Sequence, residues 1–492
     1  MIQPVINAAD FLMPHPEHIQ NGCGMFDLRK NYHFTVDPFF TELVPLIGQL
    51  LSVNQHGEDL FFGKAKGQMA EEAYTLEISE SQIVALASSV PGLHHAIETL
   101  RQLNLATEGR IPCCSISDKP TYRWRGFMLD CSRHFFSVKE IKKLIDVAAM
   151  HHLNVFHWHL TDDQGWRFPV RGYELLETVA SKRCDIRYPD YKVSYGGFYT
   201  REDIHDVVAF AHERQMTVVP EVDSPGHVSA LLAAYPELGC SGGPYQVRDQ
   251  WGVFPEVLCV GNEASFAFMQ AVIYSLCELF PDPYIHIGGD ECPSVAWENC
   301  PRCQAKAKEL GIVPSVLQGW YTMKIVKMVK DAGKVPLGWD ELLDFHDGFP
   351  LPEGLVILSW RGTSAIAKAI GCGHQVIACP NTEGYYLDYK QADDPEEPGN
   401  LGVSTICQET DFRPWTENMG PDAQKLILGG QANLWTEMVC FGRHAEYQMY
   451  PRLAVIAEQL WQRQGYHSIV GRLPLEYRKL ERLDVACCRS PM

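Results

Sequence analysis

The sequence predicts a (β/α)8 TIM barrel preceded by a small α+β domain. Three observations carry that expectation. After Pro120, short apolar runs of strand type alternate with amphipathic helical patterns eight times. Several of those helices begin at recognisable capping residues. No G-x-G-x-x-G or P-loop supports the competing architecture, a doubly wound open sheet.

Taken in order, residues 1–118 form the first unit. Tyr74-Thr75-Leu76-Glu77-Ile78 alternates like a half-buried strand, and Ala96, Ile97, Leu100 and Leu103 have helical spacing within 90–103. The polar segment 115–120, ended by Pro120, is the link. The barrel is expected over 119–475. Its strands are predicted at 126–130, 154–158, 216–221, 284–288, 335–339, 355–360, 375–379 and 426–431. Ser137 and Glu140 make a capping box for a helix to Met150. Thr200 and Asp203 start a helix ending near Arg214, and 315–332 fits another helix with Gly333 as its stop. A tail at 476–492 is expected to pack on the barrel. The acidic run 393–399 reads as a solvated loop.

Chemistry in such a barrel gathers at the C-terminal strand ends. Those ends carry Asp130 and Arg133-His134, then His157, His159, Asp162 and Asp163, then Glu221, Asp223 and His227. They continue with Asp290-Glu291, Trp339-Asp340-Glu341, Trp360-Arg361, Tyr386 with Asp388, and Trp435 with Glu437. Tryptophan offers a flat apolar face to a pyranose, and carboxylates and arginine bind hydroxyls with fixed geometry. Asp290 and Glu291 are adjacent. A strand alternates its side chains, so the two acids are expected to serve different parts of a substrate.

Composition narrows the partners. Of 492 residues, 46% are hydrophobic and 21% charged, as in an ordinary soluble globular protein. With 42 Lys+Arg against 61 Asp+Glu, the formal charge is −19, which argues against nucleic acid and anionic membranes. No run approaches the roughly 18 apolar residues of a membrane span. Residues 1–20 lack the basic start of a secretory signal, and the 17 cysteines read as reduced thiols, so a cytoplasmic location is expected. Cys292, Cys300 and Cys303 lie close together beside the acids. Their single CxxC admits a zinc-holding loop, but thiols without a role are the simpler expectation, and no metal or cofactor is assigned.

The segments HIGGDE (286–291) and ECPSVAWENCPRCQ (291–304) resemble the signature of family 20 glycoside hydrolases, the β-N-acetylhexosaminidases. RGFMLDCSRHFF (125–136), NVFHWHLTDD (154–163), PEVDSPGH (220–227), GWDE (338–341), SWRG (359–362), YYLD (385–388) and NLWTE (433–437) are similar too, in order along the chain. The first unit is similar to the small domain that often precedes that barrel. The resemblance implies an exo-acting, retaining enzyme in which the substrate's 2-acetamido oxygen attacks C1, an exception to the two-carboxylate scheme. It implies Glu291 as general acid and base, with a raised pKa, and Asp290 as partner of the acetamido N–H. Tyr386 would bind the acetamido carbonyl. Trp339, Trp360 and Trp435 would enclose the methyl, and Arg133, Asp388 and Glu437 would hold hydroxyls. Asp162 and His227 would support Glu291. The substrate would be a glycan, and family habit suggests a homodimer. The rivals are a metal-dependent, amidohydrolase-like barrel built on His157 and His159, and a sugar-binding protein without catalysis.

Overall fold

The eight apolar runs after Pro120 are strands, and they close on themselves. In the computed structural model, which describes residues 6–491 except 31, 32, 53, 56–58, 347, 393–396, 398, 415–418 and 490, they form one parallel barrel. Its strands are β1 (Trp124–Asp130), β2 (Val155–His159), β3 (Thr217–Glu221), β4 (Tyr284–His286), β5 (Val335–Trp339), β6 (Val356–Ser359), β7 (Gln375–Ala378) and β8 (Ile427–Leu434). β8 pairs with β1 from Gly429↔Trp124 to Leu434↔Leu129, which closes the ring. Every residue of β1, β2, β6 and β8 is buried. That is the result expected when helices cover the outer face and side chains fill the inside.

The caps act as their residue types predict. Ser137 and Glu140 complete a reciprocal capping box on the helix Val138–Met150, and Thr200 and Asp203 do so on Arg201–Glu213. The helix expected at 315–332 runs Leu317–Asp331 after a short 3-10 turn.

Ahead of the barrel lies a seven-stranded mixed sheet. The predicted strand Tyr74–Ile78 sits between Arg110–Asp118 and Ile83–Ala87. The helix Val90–Thr107 packs on it, capped by Ser89. Buried Arg125 of β1 reaches Glu72, and Trp461 donates from Nε1 to Asp118 at 2.9 Å, so polar pairs join sheet and barrel.

Two expectations need correction. The boundary at 475/476 falls inside one helix, Tyr466–Arg482, which packs on Val90–Thr107 as well as on barrel helices. There Lys479 Nζ donates to Gln102 Oε1 at 2.6 Å. The acidic run 393–399 is mostly outside the described residues. Within it Glu397 is buried, accepting from the backbone N–H groups of Gln391 and Ala392 at 3.0 and 2.9 Å, so that carboxylate is a loop brace and not solvated surface.

Candidate active site

A cavity of about 210 Å³ opens at the C-terminal end of the barrel. Arg133, Asp290, Glu291, Trp360, Tyr386, Asp388, Trp435 and Glu437 line it, joined by Asn381, Tyr389 and Asn400. Residues from the ends of β1, β4, β6, β7 and β8 thus meet as the strand-end pattern predicts.

The backbone after β4 explains the adjacent acids. The strand stops at His286, two residues earlier than expected, because Gly288 and Gly289 take φ of +68° and +102°. A Cβ on Gly288 would lie 1.7 Å from Asp223 Oδ1, so only glycine fits. Glu291 itself has φ +45°. This left-handed path points Asp290 inward, where it is buried, and leaves the Glu291 side chain 42% exposed.

Asp290 sits on an acidic floor. Burial, with the carboxyl of Asp223 beside it, pushes its pKa well above the usual aspartate range. Its Oδ1 is buried and has no hydrogen-bond partner among the described residues. Asp223 is itself pushed up to about 7, chiefly by burial, while its Oδ1 accepts from Gly289 N–H at 2.9 Å. Glu341 is driven to about 9 by burial and by Asp290, and it receives the Trp360 Nε1 proton at 2.8 Å.

Glu291 faces a wall rich in charge pairs. Its Oε2 lies 3.5 Å from His227 Nε2. His227 Nδ1 is 3.2 Å from Asp162 and 3.0 Å from Asp163. Asp162 also takes Arg133 Nη2 at 2.8 Å and His159 Nε2 at 3.0 Å. The His227 imidazolium 3.5 Å away holds the Glu291 carboxyl below the ordinary glutamate value, against the raised value expected from the resemblance. The cause is plain: His227, flanked by two aspartates, is held protonated.

Arg133 is fixed before any ligand meets it. Asp130 and Gln164 bind it at 3.2 and 3.1 Å, and its guanidinium lies 5.0 Å over the Trp435 ring. Glu437 Oε1 is 4.0 Å from Arg133 Nη2. Asp388 accepts from Asn400 Nδ2 at 3.1 Å and is pushed to about 7, chiefly by burial. Tyr386 and Trp360 stack at 6.0 Å with planes 17° apart, and Trp435 stands 6.3 Å from Tyr386.

Trp339 is the exception among the expected lining residues. It ends β5 pointing into the barrel, is 1% exposed, and donates from Nε1 to Glu221 Oε1 at 2.8 Å. It backs Trp435 from 5.9 Å instead of lining the cavity. Sequence reasoning gave no role to Glu221, Asp163, Asp223 or Glu341. Each was visible as an acid at a strand end; the missing signal was which partner it meets. Glu221 is the hub below the floor, contacted by His159, by His286 at 2.9 Å and by His157 at 3.2 Å. His157 and His159, the basis of a metal-hydrolase rival, therefore face protein partners: His157 Nδ1 meets Gln431 at 2.9 Å, and His159 bridges Glu221 and Asp162.

A parallel barrel with paired acids, a fixed arginine and stacked aromatics around a small strand-end cavity suits a glycoside hydrolase. Comparison with known proteins specifies which. The model of the glycosyl hydrolase family 20 catalytic domain matches residues 122–464, and that of the family's domain 2 matches 10–119. The chain belongs to glycosyl hydrolase family 20. A beta-hexosaminidase of Porphyromonas gingivalis is 36% identical over 439 residues, 86% of this chain and 54% of that protein. One of Vibrio furnissii is 34% identical over 475 residues, 92% of this chain and 77% of that protein. The chain thus spans about half the length of the first relative and about three quarters of the second. A Vibrio harveyi GH20 exo beta-N-acetylglucosaminidase, solved in complex with N-acetylglucosamine, superposes with TM-score 0.88 at 31% identity, over 99% of this chain and 80% of that one.

Proposed function

We propose that this protein removes terminal β-linked GlcNAc or GalNAc from the non-reducing end of glycans, with retention, by substrate-assisted catalysis. The observation that carries it is Asp290: a buried aspartate that lines the cavity, whose Oδ1 has no partner among the described residues and whose carboxyl resists ionisation. Such a group is a poor nucleophile toward C1, whereas a retaining two-carboxylate enzyme needs an ionised carboxylate oxygen to attack there. It is well suited to hold an acetamido N–H.

In the first step the acetamido oxygen attacks C1 while protonated Glu291 gives its proton to the leaving oxygen. The C1–O bond breaks and an oxazolinium ion forms. One proton shared by Asp223 and Asp290 leaves one negative charge beside the N–H, balancing the ring's positive charge. The Tyr386 hydroxyl donates to the acetamido oxygen and orients it, and Trp360 and Trp435 flank the methyl. A well-placed internal nucleophile supplies roughly 7–11 kcal/mol of barrier reduction. In the second step Glu291, now a carboxylate, takes a proton from water, which opens the ring at C1. Two inversions give retention. A bound sugar also strips water from half-exposed Glu291, which raises its pKa toward that of a usable acid. Arg133, Asp388 and Glu437 bind hydroxyls and close the site beyond the terminal sugar.

Matched chromogenic β-GlcNAc and β-glucoside test this directly. Hydrolysis should be confined almost wholly to the N-acetyl sugar; equal rates would rule out assistance by the acetamido group. No helix among the described residues is long and apolar enough to cross a membrane. A homodimer and a cytoplasmic location belong to the same proposal, tested by light scattering and by fractionation of cells.

A further inference from the structure

The largest unassigned cluster of reactive side chains lies outside the cavity. The Sγ atoms of Cys240, Cys259, Cys300 and Cys303 all lie within 4.8 Å of one another. Cys259 Sγ is 3.7 Å from both Cys300 and Cys303, and Cys240 is 3.9 Å from Cys303. Four sulfurs at tetrahedral corners about 2.3 Å from a zinc ion stand about 3.8 Å apart. A disulfide brings two sulfurs to about 2.05 Å, so the observed spacing belongs to four thiols facing a common centre. Cys259, Cys300 and Cys303 are buried, and Cys240 is partly covered.

We infer that Cys240, Cys259, Cys300 and Cys303 bind one structural Zn²⁺ as a tetrathiolate site. Two features around the cluster suit that charge. The site would carry two net negative charges. Cys300 and Cys303 sit at the positive N-terminus of the ten-residue helix Pro301–Leu310, with Cys300 at its N-cap. The guanidinium of Arg302, between them, is held at Gly239 O at 2.8 Å. A shallow cavity bordered by Cys240, Cys300 and Tyr245 gives the ion a way in. Binding would exchange four S–H bonds for four Zn–S bonds, with the protons passing to solvent and no change of oxidation state.

The position gives the ion a mechanical task. Cys240 and Cys259 come from the long connection after β3, which also carries Asp223 and His227. Cys300 and Cys303 follow the β4 loop, which carries Asp290 and Glu291. Trp297 Nε1 already ties these segments at Leu258 O, 2.8 Å away. Zinc would lock them together at a second point. None of the four cysteines lines the sugar cavity, so the site stands whatever the sugar chemistry proves to be. Cys292 is not part of it; its backbone packs against Gly226, beside the acidic floor.

The full chain, purified without chelator, should contain one zinc per molecule by plasma mass spectrometry, and a mercurial thiol reagent should release it. Replacement by Co²⁺ should give the intense sulfur-to-cobalt absorption of a tetrathiolate site. Cys259→Ser and Cys300→Ser should each lower bound zinc at least about tenfold and reduce Tm, whereas Cys292→Ser should keep it. Measurements on the unaltered protein decide the matter if a variant fails to fold. Zinc well below one per molecule with four titratable thiols, a disulfide within the cluster, or iron in place of zinc would each overturn the assignment.

Discussion

Asp290 and Glu291 are neighbours in the chain but occupy opposite electrostatic regions. The floor under Asp290 gathers Asp223, Glu221 and Glu341, and burial among acids pushes Asp290, Asp223 and Glu341 upward. The wall behind Glu291 alternates signs through His227, Asp162 and Arg133, and the nearby imidazolium draws Glu291 down. Two carboxyls one peptide apart are thus set for different work by what packs against them, not by their own type. The left-handed turn at Gly288 and Gly289 makes the separation possible.

The sharpest way to break this division is Glu291→Gln. For a sugar leaving group, kcat/KM should fall about 10²–10⁴-fold, the usual worth of a general acid, and far less for an activated phenol. Equal losses on both would remove Glu291 as proton donor. Asp290→Asn should lower kcat by about 10²–10³-fold on N-acetyl substrates. An unchanged rate there would mean the floor plays no part in the chemistry.

His227→Gln tests the wall. Removing the positive charge that depresses Glu291 should let its pKa rise. In the proposed mechanism Glu291 acts protonated, so the high-pH limb of kcat/KM, which reports the free enzyme, should move to higher pH. A limb that stayed in place would sever the link between His227 and the acid. The smallest effect concerns stability. Asp223 is raised from 3.8 to about 7 in the fold, so its contribution is full below 3.8 and is lost as pH rises through 7. Tm should therefore decline across that window, and Asp223→Asn should flatten the decline. A slope identical to that of the unaltered protein would place the titration elsewhere.

All eight barrel strands could be found from the sequence because each is a short apolar run bounded by turn residues, and burial on both faces demands such runs. The end of β4 was misplaced by two residues because glycine fits a strand or a left-handed turn, and only the nearness of Asp223 decides between them. The lining residues were legible for a similar reason: each lies in the segment that follows a strand. Depth was not. Trp339 is the last residue of β5 and Trp435 the first after β8; the first lies behind the second, its indole held by Glu221. Pair partners were equally hidden. Asp163 and Glu341 matter through His227 and Trp360, which lie 64 and 19 residues away in the chain. Of the fourfold cysteine group only Cys300 and Cys303 were legible, as a CxxC wrongly joined to Cys292, because Cys240 and Cys259 are far from them in sequence and no local pattern joins the two pairs.

The last helix, Tyr466–Arg482, has a consequence of its own. Arg472 reaches back to Leu12 O at 2.7 Å and to Glu458 at 2.8 Å. Buried Lys479 bridges Glu476 and Gln102, and Glu476 binds His151 at 2.8 Å. Gln102 in turn donates to Met150 O at 2.8 Å, at the end of the first barrel helix. Opening either unit takes from buried Arg472 and Lys479 the acceptors that the other supplies, Leu12 O and Gln102 Oε1. The sheet and the barrel are consequently expected to melt in one calorimetric transition, and removal of this helix should loosen both units at once.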